Sequence, residues 1–317
     1  SDGEVEQITT EPGVHTVSAV RPSVVRSATL DRTRPVTTAP GGRIIESFAE
    51  EALVRPLVHL HRLGDDGLAT AVLLPRDHDG SPLPVLLDPY GGPHAQRVVR
   101  SHHAFLTSQW FADQGYAVVV VDGRGTPGRG SAWERAVHLD LATAVLDDQI
   151  TALRAAADLH PELDLDRVAI RGWSFGGYLA ALAVLRRPDV FHAAIAGAPV
   201  TEWRLYDTHY TERYLGLPKE NIEGYRVGNV MTWAKDLRVP LLLIHGTADD
   251  NVYFTHSLKL MDEAVRQGTS GWIDFMPLAG QTHMVVEPEV VERMYARMMA
   301  FFAEHLGAGV RAARQAP

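Results

Sequence analysis

Apolar and polar residues follow two different patterns along the chain, and the change falls near residue 50. Before it, EVEQITT, VHTVSAV and SVVRSATL show partial alternation of apolar and polar positions and are separated by breaks that contain Pro. Such alternation predicts short antiparallel strands joined by turns. Because three short strands cannot enclose a hydrophobic core, we interpret residues 1–50 as the remnant of a larger all-β unit.

From residue 51 onward, short apolar runs alternate with segments of helical spacing. RPLVHLHRL and LATAVLLP predict a strand pair, and further strands are predicted over LPVLLD, YAVVVVD, RVAIRGW, HAAIAGAP, VPLLLIHG and GWIDFMPL. Helices are predicted over HAFLTSQWFADQG, AVLDDQITALRAAADL, FGGYLAALAVLRR and EVVERMYARMMAFFAEHL. This order indicates a mainly parallel sheet covered on both faces by helices. We expect one α/β domain over residues 51–306 and a flexible tail over residues 307–317.

Charge and composition exclude several classes of function. The net charge of −9 argues against a nucleic-acid partner, since phosphate binding requires clustered Lys and Arg. No apolar run reaches the roughly 18 residues needed to span a bilayer, so we expect no membrane span. The chain has no Cys, which excludes disulfides, Cys-ligated metals and a thiol nucleophile and favours a reducing, cytoplasmic location.

The sequence predicts neither a metal site nor a cofactor. The histidine pairs His102–His103 and His59–His61 lack a carboxylate at a diagnostic spacing, so we interpret both as structural or surface residues. The glycines of GRGTPGRG lack the Lys-Ser/Thr ending of a phosphate-binding loop.

A G-x-S-x-G motif formed by Gly172, Ser174 and Gly176 lies between a predicted strand and a predicted helix. In that context the motif makes a sharp turn that presents the serine hydroxyl above the sheet. The glycines remove Cβ atoms that would collide with neighbouring backbone. We therefore predict that Ser174 is a nucleophile, and that the backbone N–H of Phe175 is one donor of an oxyanion hole.

A serine nucleophile needs a base and an acid, which in this kind of fold follow it in the order acid, then histidine. Asp249 and Asp250 come directly after the strand VPLLLIHG, and the loop context favours Asp249 as the acid. His283 lies in a loop after the next strand, whereas His256 and His305 lie in predicted helices. His283 is therefore predicted to be the base.

The second oxyanion donor is left open by the residues alone. An HGGG motif is absent, and DPYGGP stands in its place. The hydroxyl of Tyr90 in that segment is a suitable donor, but a tyrosine packed in a Gly-Pro turn explains the segment equally well.

Several segments in order give the chain a specific resemblance to a known family: DPYGGP, DGRGTPGRG, GWSFGGY, YDTHYTERYLGLP and HGTADDNV. The chain resembles the catalytic domain of the prolyl oligopeptidase family, and most closely its dipeptidyl peptidase IV branch, from about residue 55 to 305. The resemblance implies an α/β-hydrolase fold preceded by the last blade of a β-propeller. It also implies a peptide substrate, a β-propeller segment or chain as partner, and a homodimer.

The family's functional residues carry over to matching positions. Ser174, Asp249 and His283 match its triad, and Tyr90 matches its oxyanion tyrosine. The resemblance implies that the remaining matched positions form the substrate pocket, with Asn251 binding a substrate carbonyl: Tyr178, Val200, Trp203, Tyr206, Tyr210, Asn251 and Val252. Aromatic faces suit a flat proline ring that has no N–H donor.

The chain departs from the family at the base, where Met284 replaces the usual glycine after the histidine, and in lacking the rest of the propeller. The resemblance implies a serine exopeptidase that releases N-terminal X-Pro or X-Ala dipeptides, as part of a longer protein. An aminopeptidase, acylaminoacyl peptidase or esterase with the same triad is the enzyme alternative. An inactive binding module of the same fold is the non-enzyme alternative.

Overall fold

The computed structural model describes residues 7–18 and 24–307. Its first part is a small antiparallel sheet of four strands in the order β1-β2-β3-β4. These strands are β1 (Val14–Val17), β2 (Val25–Ala28), β3 (Val36–Thr38) and β4 (Ile44–Ile45). The sheet has the form of a fragment of a β-propeller blade.

The second part is an eight-stranded sheet in the order β12-β11-β10-β9-β7-β8-β6-β5. Neighbouring strands are parallel except for β6, which runs antiparallel to both β5 and β8. The strands are β5 (Val58–Leu63), β6 (Leu68–Leu73), β7 (Leu83–Leu87), β8 (Ala117–Asp122), β9 (Leu163–Trp173), β10 (Ala193–Gly197), β11 (Leu241–Gly246) and β12 (Ile273–Leu278). The largely apolar sequences of the fully buried strands β6, β7, β8, β10 and β11 suit a sheet covered on both faces.

Helices cover both faces of this sheet. They are α1 (Leu106–Asp113), α2 (Ser131–Glu134), α3 (Thr143–Leu159), α4 (Phe175–Arg186), α5 (Thr208–Leu215), α6 (Ile222–Gly228), α7 (Thr255–Gln267) and α8 (Pro288–Leu306). One core lies between the sheet and α3, α4 and α7. The other packs α1 and α8 on the opposite face, where Phe111, Phe301 and Phe302 are fully buried. The mainly parallel sheet expected from the alternation of strands and helices and the α/β-hydrolase fold implied by the family resemblance are both confirmed.

The eight strands of the large sheet all lie where their apolar runs predict them. On α3, the structure buries Val145, Ile150 and Leu153 and leaves Ala157 half-buried. The helix predicted over HAFLTSQWFADQG begins with a 3₁₀ turn over His102–Phe105 before α1.

The N-terminal sheet differs from its prediction. EVEQITT does not pair as a strand over residues 7–10, and residues 4–6 lie outside the described part of the chain. Two strands, β3 and β4, were missed because they are only three and two residues long, too short to show alternation. The tail predicted over residues 307–317 lies outside the described residues beyond Gly307. Among the residues described, no helix is long and apolar enough to cross a membrane.

Candidate active site

Ser174 lies in a sharp turn between β9 and α4. Its backbone has φ 59° and ψ −118°, which is unfavourable for a residue with a side chain, and its N–H donates to the Gly197 carbonyl at 2.9 Å. A Cβ at Gly172 would lie 2.2 Å from the Gly176 carbonyl oxygen, and one at Gly176 would lie 2.7 Å from the Pro89 carbonyl oxygen. The turn therefore requires both glycines of the motif.

Asp249 follows β11, in a loop that surrounds its carboxylate with donors. Its Oδ1 accepts the backbone N–H groups of Asn251 (3.0 Å) and Val252 (2.8 Å). Its Oδ2 lies 2.8 Å from Nδ1 of His283. The neighbouring Asp250 is exposed and has no comparable contacts. Of the two candidate acids, the structure brings Asp249 to the imidazole.

The electrostatic surroundings of Asp249 keep it ionised. Burial by itself favours the neutral acid, but the imidazoles of His245 and His283 and the N–H of Asn251 outweigh it and hold the pKa of Asp249 well below its usual range. An ionised carboxylate at this position accepts from Nδ1–H of His283. That tautomer leaves Nε2 of His283 with a lone pair.

His283 lies in the loop after β12, which is held beside the turn that contains Ser174. The indole Nε1–H of Trp173 donates to the His283 carbonyl at 2.8 Å. Neither Ser174 Oγ nor His283 Nε2 has a hydrogen bond to another of the described residues. The contact between Asp249 and His283 is thus formed, while a contact between His283 and Ser174 is not. In serine hydrolases such contacts often tighten only when substrate binds.

Tyr90 lies in the loop after β7 and packs against the turn that contains Ser174. A Cβ on Gly176 would lie 3.5 Å from Tyr90 Cα, and the Tyr90 and Phe175 rings lie 5.8 Å apart. Burial, with smaller effects of nearby tyrosines, raises the pKa of Tyr90 to about 12. The phenol therefore stays protonated near neutral pH and remains a donor. The N–H of Phe175 belongs to the first turn of α4, where helical N–H groups lack an internal partner.

Ion pairs fix both ends of the loop that carries Tyr90. Buried Asp88 accepts from Arg97 Nη2 at 3.0 Å and from Ser108 Oγ at 2.7 Å, and its other oxygen lies 3.2 Å from Arg171 Nε. The backbone N–H of Arg97 donates to Asp122, at the end of β8. The loop between residues 88 and 97 is thereby anchored to the sheet at each end.

The predicted pocket aromatics form one connected cluster, the aromatic cluster, next to the turn that contains Ser174. Its members are Tyr178, Trp203, Tyr206 and Tyr210. The rings of Trp203 and Tyr210 are stacked at 6.0 Å and 10°, and Tyr178 contacts Trp203 edge to face at 5.1 Å. Tyr206 lies 5.4 Å from Tyr210. Trp203 also lies 5.8 Å from the Phe175 ring, so the cluster reaches the residue after Ser174.

The remaining predicted pocket residues divide into two groups. Val200 and Val252 are buried, and Val252 accepts at its carbonyl from His245. Asn251 is exposed, and its Oδ1 accepts from the Tyr206 hydroxyl at 3.0 Å. Its side-chain amide N–H₂ is a donor suited to a substrate carbonyl.

Sequence reasoning missed several residues that position the site. His245 donates through Nε2 to the Val252 carbonyl (2.8 Å) and lies 3.3 Å from Asp249 Oδ2. Its place at the end of β11, four residues before the acid, was the available signal. Two further contacts join segments more than 100 residues apart. Trp173 contacts His283, and His94 Nε2 lies 2.7 Å from the Tyr214 hydroxyl. No local pattern indicates them.

Comparison with known proteins identifies the family of the chain. The profile of the prolyl oligopeptidase family matches residues 102–309. The chain belongs to the prolyl oligopeptidase family. It is 39% identical over 251 residues to dipeptidyl peptidase 8 of Mus musculus and of Homo sapiens, with 76% of this chain covered. Among solved structures, dipeptidyl peptidase 4 of Porphyromonas gingivalis matches 94% of this chain with a TM-score of 0.81 and 28% identity.

These family members are much longer than the matched region. The chain covers 28% of mouse and 27% of human dipeptidyl peptidase 8, and 44% of the Porphyromonas gingivalis chain. As for ions, the described residues contain no group of three or more His, Cys, Asp or Glu side chains that could hold a metal.

Proposed function

We propose that this chain is the catalytic part of a serine exopeptidase that releases N-terminal X-Pro or X-Ala dipeptides through an acyl-enzyme. The observation that carries the proposal is the 2.8 Å contact between Asp249 Oδ2 and His283 Nδ1, on a loop that Trp173 holds next to Ser174. Family membership and the names of the dipeptidyl peptidase relatives support the reaction class.

In the proposed mechanism Ser174 Oγ forms a bond to the carbonyl carbon of the scissile peptide. Its proton passes to Nε2 of His283, and the resulting imidazolium is stabilised by ionised Asp249. The Tyr90 hydroxyl and the Phe175 N–H donate to the oxyanion of the tetrahedral intermediate. His283 then protonates the leaving amine as the C–N bond breaks. A water activated by the same imidazole hydrolyses the ester and restores Ser174.

The aromatic cluster supports the proposed specificity. A proline or alanine side chain beside Trp203 and Tyr210 would be enclosed by ring faces, and neither demands a hydrogen-bond partner in the pocket. Asn251 would donate to the carbonyl of the residue before it.

Turnover of a panel of substrates tests the proposal. Gly-Pro-p-nitroanilide should be cleaved in preference to single-residue anilides, N-blocked peptides and p-nitrophenyl acetate. The Ser174→Ala variant should lose turnover by several orders of magnitude and lose labelling by a fluorophosphonate, while Ser81→Ala, at an exposed loop serine, should keep both.

Other patterns of turnover would identify the alternatives. Cleavage of single-residue anilides alone would indicate an aminopeptidase. Cleavage of N-blocked peptides alone would indicate an acylaminoacyl peptidase, and cleavage of p-nitrophenyl acetate alone would indicate an esterase. Absence of both turnover and labelling would indicate an inactive binding module.

The assembly of the protein is also proposed. The small sheet exposes Val17, Ile44 and Ile45, which supports completion of the blade by a further propeller segment or chain. Exposed Leu258 and Val265 of α7 support a homodimer through that helix. Mass spectrometry of the native protein and light scattering of the purified protein test these two proposals. A cytoplasmic location stays a prediction.

A further inference from the structure

A cavity of about 350 Å³ adjoins the aromatic cluster and lies outside the proposed catalytic machinery. Its volume falls at the small end of the range of about 300–1,000 Å³ typical of ligand pockets. The side chains that give it chemical character are His94, Glu134, Arg135, His138, Arg213 and Tyr214.

This cavity carries positive charge in a chain whose net charge is −9. Arg213 lies over the Tyr214 ring, 5.8 Å from its centroid, and Arg135 donates to the Ser131 hydroxyl at 3.2 Å. Within the described residues neither guanidinium pairs with a carboxylate. Glu134 is the single carboxylate of the lining, and it accepts from the Gly128 N–H.

Several other arginines of this protein pair with carboxylates of the chain. Arg97 and Arg124, for example, each pair with a buried aspartate, the latter at 2.6 Å. Two guanidinium groups that face one cavity without such partners are suited to bind a carboxylate from outside the chain, because their donors match its two oxygens.

The cavity and the aromatic cluster share a wall. His94 lies 5.1 Å from the Tyr210 ring and Tyr214 lies 4.9 Å from it, while the other side of Tyr210 stacks on Trp203. His94 also donates to or accepts from the Tyr214 hydroxyl at 2.7 Å, which joins the Tyr90 loop to α5. Consecutive residues of an extended peptide are about 3.3–3.6 Å apart. A residue next to the one in the aromatic cluster therefore comes within side-chain reach of the cavity.

We propose that this cavity is an anion subsite. It binds the carboxylate of an aspartate or glutamate side chain that flanks the substrate residue held by the aromatic cluster. The inference rests on the proposed peptidase function and gives it a substrate preference, for peptides with an acidic residue at that place.

Two pairs of substrates test the preference on each side of the cut. Asp-Pro-p-nitroanilide is compared with Asn-Pro-p-nitroanilide, and Gly-Pro-Asp-Gly with Gly-Pro-Asn-Gly, so that each pair differs only in charge. In at least one pair the acidic peptide should have a kcat/KM about twofold to fivefold higher, the size expected for ion pairs in contact with solvent. Salt at about 0.5 M should reduce the difference, because it screens exposed charges.

Charge variants connect the preference to the cavity. The acidic-to-neutral ratio of kcat/KM should fall to about one in the double variant Arg135→Gln/Arg213→Gln and should rise in Glu134→Gln. Arg293→Gln, which removes an exposed arginine of α8, should leave the ratio unchanged. A ratio near one in both pairs for the unaltered protein, or a preference that survives the double variant, would overturn the proposal.

A binding measurement separates this proposal from the proposed reaction. In Ser174→Ala, calorimetry of both pairs should give, in at least one of them, a Kd about twofold to fivefold lower for the acidic peptide, and the double variant should remove the difference. If the unaltered protein cleaves neither peptide but this Kd ratio holds, the peptidase proposal fails and the subsite stands. If the neutral peptides are cleaved and the Kd ratio is one in both pairs, the subsite proposal fails and the peptidase proposal stands.

Discussion

The Asp249→Asn substitution tests the proposed triad most directly, because asparagine has almost the same shape. Oδ1 of Asp249 accepts from two backbone N–H groups, of Asn251 and Val252, and an amide oxygen placed there would keep both bonds. The amide N–H₂ would then occupy the position of Oδ2, 2.8 Å from His283 Nδ1. Two donors cannot bond to each other, so Nδ1 must give up its proton and become the acceptor.

The change of tautomer sets the size of the effect. With its proton moved to Nε2, His283 cannot accept the proton of Ser174, and losses of about 10⁴-fold in kcat follow in serine proteases with this change. The fold should persist, since two of the bonds of the side chain are retained. Loss of the charge-assisted bond to His283 should lower the free energy of unfolding by about 1–3 kcal/mol.

The effects on catalysis and on stability are measured separately. Turnover of Gly-Pro-p-nitroanilide and the rate of fluorophosphonate labelling of Ser174 report on catalysis, and urea unfolding reports on stability. Asp250→Asn is the matched control, because it makes the same chemical change one residue away at an exposed position. It should retain activity within about twofold. Equal losses in the two variants, or a loss below about tenfold in Asp249→Asn, would refute the assignment of the acid.

Three further predictions follow from other parts of the site. Tyr90→Phe should lower kcat by about 10²–10³-fold if the hydroxyl binds the oxyanion; a loss below about tenfold in steady-state assays would leave it a packing role. Burial, assisted by His245, lowers the pKa of His256 to about 4 from a reference value of 6.5. The unfolded chain therefore takes up the proton first as pH falls, and stability should drop by about 2 kcal/mol between pH 7 and 5; urea titrations should show a smaller drop in His256→Gln. Gly177→Ala should destabilise the protein by about 3 kcal/mol or more, because its Cβ would lie 2.2 Å from the Gly197 carbonyl oxygen. Gly271→Ala, with nothing within 4 Å, should be nearly neutral in thermal unfolding.

The inner strands β6, β7, β8, β10 and β11 were predictable because each is a fully buried, largely apolar run. Burial on both faces imposes that composition on any parallel sheet. The parallel order also explains why the predicted acid and base, Asp249 and His283, lie close together, since β11 and β12 are neighbours and the loops after them lie at the same edge.

Contacts between distant segments were not predictable in the same way. His94, at φ 80°, contacts Tyr214 across 120 residues, and the spacing of neither residue indicates the other. The short strands β3 and β4 depend on pairing with their neighbours rather than on their own composition. Tertiary packing determines these features, and residue patterns along the chain do not record it.

The one departure from the family pattern at the base has a structural explanation. A glycine after the histidine is needed only where a side chain would collide with its surroundings. The side chain of Met284 is 66% exposed, so no glycine is needed at this position. The loop is instead fixed by the backbone carbonyl of His283 and by the side chain of Gln281. Trp173 holds the His283 carbonyl, and Gln281 Nε2 donates to Glu287 at 3.0 Å.

Close packing of the backbone gives the base loop a further fixed point. A Cβ on Gly246, the last residue of β11, would lie 2.2 Å from the Gln281 carbonyl oxygen, so β11 and the base loop are in direct backbone contact. The glycine that this loop requires is therefore on the neighbouring strand, three residues before Asp249. Because one strand end both carries the acid and receives the base loop, the distance between Asp249 and His283 is set by the sheet, and Met284 is free to vary.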